Sequence, residues 1–212
     1  MARPRIMLAD DHTLLLQAFK KLLEQDFDVV GAVSEESELL PQALQLKPEV
    51  IVLDIGMAGA SGMAVGGALK KMMPRTSLVV LTMHEDPDIA REAMRCWASG
   101  YVLKKSGGSD LIHAIREALQ GRCYVAPELA RRIEEQSLQD PRSDRKRELT
   151  ERQREVLRLL AEGRTMREVA ATLNVTARTV AFHKYRIMEE FGLKTNSDLV
   201  RFAIRERVIT AA

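Results

Sequence analysis

The chain has 212 residues, 46% of them apolar and 29% charged, with a formal net charge of +2. That length suits one large domain or two small ones, and that apolar content excludes a disordered chain. No apolar run approaches the roughly 20 residues of a membrane span, and the run near the N-terminus, about five residues, is too short for a signal-peptide core. A cytoplasmic protein without membrane contact is therefore expected. Charge is uneven along the chain. Residues 1–125 hold 14 Lys and Arg against 16 Asp and Glu, whereas residues 150–212 hold 12 against 8, which places any nucleic-acid contact at the C-terminal end.

The first element is a short apolar strand, Ile6-Met7-Leu8-Ala9, followed at once by Asp10 and Asp11. Leu14, Leu15, Ala18, Phe19, Leu22 and Leu23 then recur at helical spacing. Residues 29–33 read as a second strand, and residues 37–46 as a helix ending before Pro48. Val50-Ile51-Val52-Leu53 is uninterrupted and largely β-branched, as in a strand buried on both faces of a parallel sheet, and it runs directly into Asp54. A helix over 61–73 is stopped by Pro74. The strand 78–81 is closed by Thr82, the helix 87–97 begins with Pro87, and the strand 101–103 is closed by Lys104. The last helix of this half covers 110–120, with Ser109 as N-cap and Gly121 as stop. Cys96 and Cys123 lack metal-ligand spacing and are expected as small apolar side chains without a disulfide.

Five strands alternating with five helices predict a five-stranded, parallel, doubly wound (flavodoxin-like) sheet. Right-handed crossovers bring all carboxyl ends to one edge, so Asp10, Asp11, Asp54, Thr82 and Lys104 gather there. Singly, each has an ordinary role as a cap, turn hydroxyl or surface charge. Together they form a phosphoryl site. Three carboxylates at close range need a compensating charge, and Mg²⁺ with oxygen ligands supplies it. Lys104 and Thr82 suit phosphoryl oxygens, and Asp54 becomes the carboxylate nucleophile.

These residues, with Asp54-Ile55-Gly56-Met57 and Tyr101 three residues before Lys104, resemble the receiver domain of two-component response regulators. The resemblance covers residues 5–122. It implies phosphorylation of Asp54 by a sensor histidine kinase. It also implies Mg²⁺ held by Asp11, Asp54 and the Gly56 carbonyl, with Asp10 contributing directly or through water, and a switch in which Thr82 and Tyr101 move together. Two positions depart from the family pattern. Ala58 replaces the usual proline, and Trp97 stands where a small residue is common. Trp97 is expected as a core plug, with a protein contact as the alternative.

The domain organisation expected is a receiver over 1–125, a linker over 126–148 and a second domain over 149–212. The linker opens with a polar helix over 128–138 and carries the basic triplet Arg145-Lys146-Arg147. Beyond it, four short helices are expected. Thr150-Glu151-Arg152-Gln153 and Thr165-Met166-Arg167-Glu168 fit capping boxes, Thr176 caps the third helix, and Gly192 stops it before a fourth over 197–207. Two helices joined by a tight turn make a helix-turn-helix.

The segments Leu149-Thr150-Glu151-Arg152-Gln153-Arg154-Glu155-Val156-Leu157 and Thr179-Val180-Ala181-Phe182-His183 resemble the NarL/LuxR (FixJ) type of DNA-binding domain. The resemblance implies a transcription regulator that is not an enzyme. Val180, Ile187 and Phe191 are assigned to the core, and Glu155 to an ion pair elsewhere in the domain. Arg178, Ala181, Phe182, Lys184, Tyr185 and Arg186 are the expected exposed DNA contacts. His183 has two readings, a phosphate contact or packing against the first helix. The fourth helix, through Leu199, Val200 and Ala203, is the expected dimer face, which implies a homodimer on an inverted repeat. The alternative function is a phosphorylation-independent DNA-binding regulator whose receiver serves only for dimerisation.

Overall fold

The computed structural model describes residues 2–57, 62–139 and 149–209, with side chains described throughout except over 136–139. The chain divides into two compact units, residues 1–133 and 134–212.

In the first unit, strands β1 (Arg5–Ala9), β2 (Asp28–Val33), β3 (Val50–Leu53), β4 (Ser77–Thr82), β5 (Gly100–Leu103) and β6 (Tyr124–Val125) form one parallel sheet in the order β2-β1-β3-β4-β5-β6. Helices α1 (Thr13–Leu23), α2 (Glu36–Leu46), α3 (Gly62–Met72), α4 (Pro87–Cys96) and α5 (Gly108–Leu119) alternate with the first five strands. Side chains alternate across a strand. Ile6, Leu8, Val50, Val52, Val79 and Leu81 share one core with residues of α1 and α5, including Leu23, Leu111 and Ile115. Met7, Ile51, Leu53 and Val80 are buried on the opposite side, where α2, α3 and α4 contact the sheet. Each fully buried Val, Ile or Leu contributes about 1.5–3 kcal/mol, and β3 is buried along its whole length. Asp54 is thereby fixed at a rigid strand end.

The sheet has six strands rather than the expected five. β6 is two residues long, too short for apolar alternation to reveal it, and it is held by pairing with β5. The helix after it, α6, spans Pro127–Gln139. Its first turns belong with the receiver unit, because Ala126 and Leu129 are buried. The helix α5 starts at Gly108, so Ser109 is not its cap. Gly107 (φ 90°) fills that role, and a Cβ on Gly108 would lie 2.3 Å from Leu22. The two glycines let α5 begin tight against α1. Gly121 (φ 73°) ends the turn after α5 as expected. Cys96 and Cys123 form no disulfide, as expected, but both are exposed rather than packed inside. Ser61, Ala58 and the triplet Arg145-Lys146-Arg147 lie outside the described residues.

Trp97 is a plug. It is 6% exposed, and its ring fills the space beside Gly66 of α3, where a Cβ would come within 2.3 Å of the ring.

The second unit holds α7 (Glu151–Ala161), α8 (Met166–Leu173), α9 (Ala177–Glu190) and α10 (Asn196–Arg205). Thr150 with Gln153, and Thr165 with Glu168, close the two expected capping boxes, and Thr176 accepts from the Thr179 amide. A further box, Thr195 with Asp198, opens α10. Asn174 in the left-handed region (φ 52°) makes the tight turn between α8 and α9. Two apolar clusters hold the unit. Val156, Leu159, Val169, Ala170 and Val180 form one; Leu157, Ile187, Leu199, Phe202 and Ala203 form the other. Leu199 and Ala203 are therefore core residues, not a dimer face. Glu155 pairs with Arg152 on its own helix at 2.9 Å instead of with a distant residue, and Arg152 also donates to the Leu173 carbonyl at the end of α8. No helix among the described residues is long and apolar enough to cross a membrane.

The Gly66–Trp97 fit has a measurable consequence. Gly66→Ala is expected to lower stability in denaturant unfolding, overpacking of about 1–3 kcal/mol outweighing the gain in helix propensity of about 1 kcal/mol. In a Trp97→Ala background the same substitution is expected to raise stability. The same sign in both backgrounds would contradict the packing assignment.

Candidate phosphoryl site and nucleic-acid interface

The sequence-expected residues Asp10, Asp54 and Lys104 meet at the carboxyl edge of the sheet. β1 and β3 are adjacent, and the amide of Asp54 donates to the Ala9 carbonyl (2.8 Å). This sets Asp54 beside the residue that follows Ala9. Lys104, in the short 3-10 turn Lys104–Ser106 after β5, reaches back across the sheet edge. Its ammonium donates to Asp54 Oδ2 (2.8 Å) and Asp10 Oδ1 (2.9 Å). All three side chains are almost fully buried.

The lysine pKa responds to opposing influences. Burial lowers it, but the hydrogen bonds to Asp10 and Asp54 and their negative charges outweigh burial and raise it. Lys104 stays an ammonium through the physiological range. Asp54 Oδ1 accepts from the Gly56 amide (2.7 Å), so each oxygen of this carboxylate has a defined donor and the side chain is fixed in place.

Asp11 lies apart from that contact. Its side chain is 39% exposed, and its Oδ1 lies 2.8 Å from His12 Nδ1. His12 was not singled out from sequence. Its amide also donates to Asp10 Oδ1 (2.9 Å), and its place directly after two acids is the signal that could have found it. Ligand atoms of Asp10, Asp11, His12 and Asp54 lie within 4.8 Å of one another. The donor set fits a hard divalent cation such as Mg²⁺. Asp10 Oδ2 supports that fit. It is buried and has no hydrogen bond, although the Lys104 ammonium stands 2.8 Å away at an angle unsuited to one.

Thr82 and Tyr101 are both fully buried and meet through the backbone of His84. The His84 amide donates to Thr82 Oγ1 (3.2 Å), and the Tyr101 hydroxyl donates to the His84 carbonyl (3.0 Å). Burial, then the charges of Asp86 and Asp54, pushes the Tyr101 phenol well above its usual pKa. It therefore remains a hydrogen-bond donor. Sequence reasoning identified the two side chains but not the residue, His84, whose backbone joins them.

In the second unit, α9 follows α8 across the tight turn, the geometry of a helix-turn-helix. The burial pattern corrects one expected contact, Ala181, and decides the open reading of His183 in favour of packing. Ala181 (5% exposed) and His183 (1%) are buried. His183 lies on the helix stripe of Val180 and Ile187, and Ala181 falls in line with Ala177 and Met188, which pack against the two clusters. Tyr185 is exposed, while Arg178, Phe182, Lys184 and Arg186 are partly exposed. The Lys184 ammonium sits 5.5 Å from the Tyr185 ring centroid, a cation–π distance. Glu189 and Glu190 face solvent.

Comparison with known proteins agrees with both halves. Residues 6–116 match the response regulator receiver domain family, and residues 147–203 match the luxR family of bacterial regulatory proteins. The chain is 30% identical over 214 residues to the oxygen regulatory protein NreC of Staphylococcus carnosus, covering 97% of this chain and 99% of that one. Among solved structures it is similar to RcsB of Salmonella enterica serovar Typhimurium bound to promoter P1flhDC in the presence of the phosphomimetic BeF3−. There the identity is 29% and the TM-score 0.63, with 94% and 97% of the two chains covered. RcsB has also been solved as two dimers bound to two parallel DNAs (28% identity, TM-score 0.64, 94% and 97% covered). The chain belongs to the response regulators that join a receiver domain to a LuxR-type DNA-binding domain.

Proposed function

We propose that this chain is a phosphorylation-switched transcription regulator, with Asp54 as phosphoacceptor and a sensor histidine kinase as donor. One observation carries the reading: a single buried ammonium, Lys104, lies 2.8 Å from Asp54 Oδ2 and 2.8 Å from Asp10 Oδ2. A buried cation shared by two carboxylates is suited to follow negative charge as it arrives on one of them. In the transfer, a carboxylate oxygen of Asp54 attacks phosphorus, the P–N bond of the kinase phosphohistidine breaks, and the imidazole leaves with the bonding electron pair. Lys104 and the Thr82 hydroxyl bind oxygens of the transferred group. Asp10, Asp11, Asp54 and the Gly56 carbonyl hold Mg²⁺, which when bound neutralises charge between the acids and the phosphoryl oxygens.

Thr82 and Tyr101 carry the readout. Because both hold backbone groups of His84, Thr82 its amide and Tyr101 its carbonyl, a movement of Thr82 toward a phosphoryl group shifts the residue that Tyr101 anchors. Contact with DNA falls to Arg178, Phe182, Lys184, Tyr185 and Arg186, with α9 in the major groove. The boundaries 1–125, 126–148 and 149–212, a cytoplasmic location, a homodimer in the active or DNA-bound state and an inverted-repeat target complete the reading. RcsB, with its dimers on DNA, supports the homodimer.

Incubation with a small-molecule phosphodonor and Mg²⁺ is expected to add one phosphoryl group to the wild-type chain in intact-mass measurement, and none to Asp54→Asn. Equal labelling of both would contradict the assignment. Arg178→Ala is expected to reduce the salt dependence of DNA binding by about one unit of slope without changing sequence preference. A changed preference in selection from random DNA would overturn its role as a phosphate contact.

A further inference from the structure

The switch loop and the chain leaving the receiver are joined in two ways. The first is backbone pairing. β6 lies alongside β5, with Tyr101 in register with Val125. The amide of Ala126 donates to the carbonyl of Tyr101 itself (3.1 Å), and the Leu129 and Ala130 amides return to Ala126 as the first bonds of α6. Leu129 is fully buried. The start of α6 is thus pinned to the strand that carries the switch tyrosine.

The second link is a cluster of four charges. Glu85 lies in the β4–α4 loop, directly after His84. Its Oε1 is 2.9 Å from Lys105 Nζ, and its Oε2 is 3.3 Å from Arg132 Nη1. Lys105 also reaches Glu128 Oε1 (3.2 Å). Glu128 and Arg132 stand one helical turn apart on α6, so they present one face of the helix. Lys105 follows Lys104, and Glu85 follows His84, whose backbone Thr82 and Tyr101 hold. Each half of the phosphoryl site therefore has an adjacent residue in the cluster.

We infer that Glu85, Lys105, Glu128 and Arg132 form a latch that couples the state of the Asp54 site to helix α6. The inference rests on the reading of Asp54 as phosphoacceptor. When Thr82 and Lys104 are drawn toward a phosphoryl group, Glu85 and Lys105 shift with them, and their pairs to α6 part. The four side chains are between 38% and 55% exposed. Ion pairs that exposed are individually weak and screened by salt, so a small displacement at the site is enough to release them. The hydrophobic anchor at Leu129 persists, and α6 loosens one turn beyond it.

Amide hydrogen exchange of the full-length protein, read by mass spectrometry on peptides covering 126–133, tests this. In wild type, phosphodonor with Mg²⁺ is expected to speed exchange of these amides by about threefold, the effect of losing one or two exposed pairs. Glu85→Gln is expected to show that faster exchange without phosphodonor and no further rise with it, while taking up as much phosphoryl group as wild type. Glu128→Gln, which cuts the cluster from the helix side, is expected to behave in the same direction. Wild type that is phosphorylated yet unchanged over 126–133 would overturn the latch alone. So would a Glu85→Gln chain that keeps the full wild-type response. A chain that takes up no phosphoryl group would overturn the reading of Asp54, and the latch with it.

Discussion

The ammonium of Lys104 holds the receiver site together by standing between two buried carboxylates that would otherwise repel. Neither Asp10 nor Asp54 is affordable at 4% exposure without such a partner, because a buried unpaired charge costs several kcal/mol. The arrangement in turn depends on strand order. With β1 next to β3, Asp10 and Asp54 sit side by side, and β5 then needs only the length of one lysine to reach both. A cation shared by two anions has no strong preference for either, so added charge on Asp54 would shift the balance.

Around that contact, short hydrogen-bonded steps lead outward. Thr82 and Tyr101 hold the backbone amide and carbonyl of His84, and the strand of Tyr101 pairs with β6, which leads into α6. Trp97 against Gly66 locks α3 beside the end of α4, and the buried β3 offers no play beneath Asp54. The loop between β4 and α4 carries His84, and its far end is fixed by Asp86 capping α4 and by Pro87 in the first turn of that helix.

The chemistry of the site was legible in the sequence because each of its residues ends an apolar run. Asp54 after Val50-Ile51-Val52-Leu53, Thr82 after Leu78-Val79-Val80-Leu81 and Lys104 after Tyr101-Val102-Leu103 are placed by strand pattern alone. The capping boxes at Thr150 and Thr165 were legible for a similar reason, since their signals are local. What was not legible depends on contacts distant in sequence. β6 exists through its partner strand, and the fit of Trp97 to Gly66 is a matter of shape across two helices. An apolar stripe such as Leu199 and Ala203 has the same periodicity whether it meets its own core or a second copy. His183 was left open because its polar ring conceals its position on the Val180–Ile187 stripe.

The central claim is that charge arriving at Asp54 changes what the second domain does. The most direct measurement is affinity for a selected DNA site at fixed salt, with and without phosphodonor, for wild type and Asp54→Asn side by side. The account predicts a change of about tenfold on adding phosphodonor to wild type, within the range of ordinary allosteric coupling, and no change for Asp54→Asn. Equal affinity under all four conditions would contradict it.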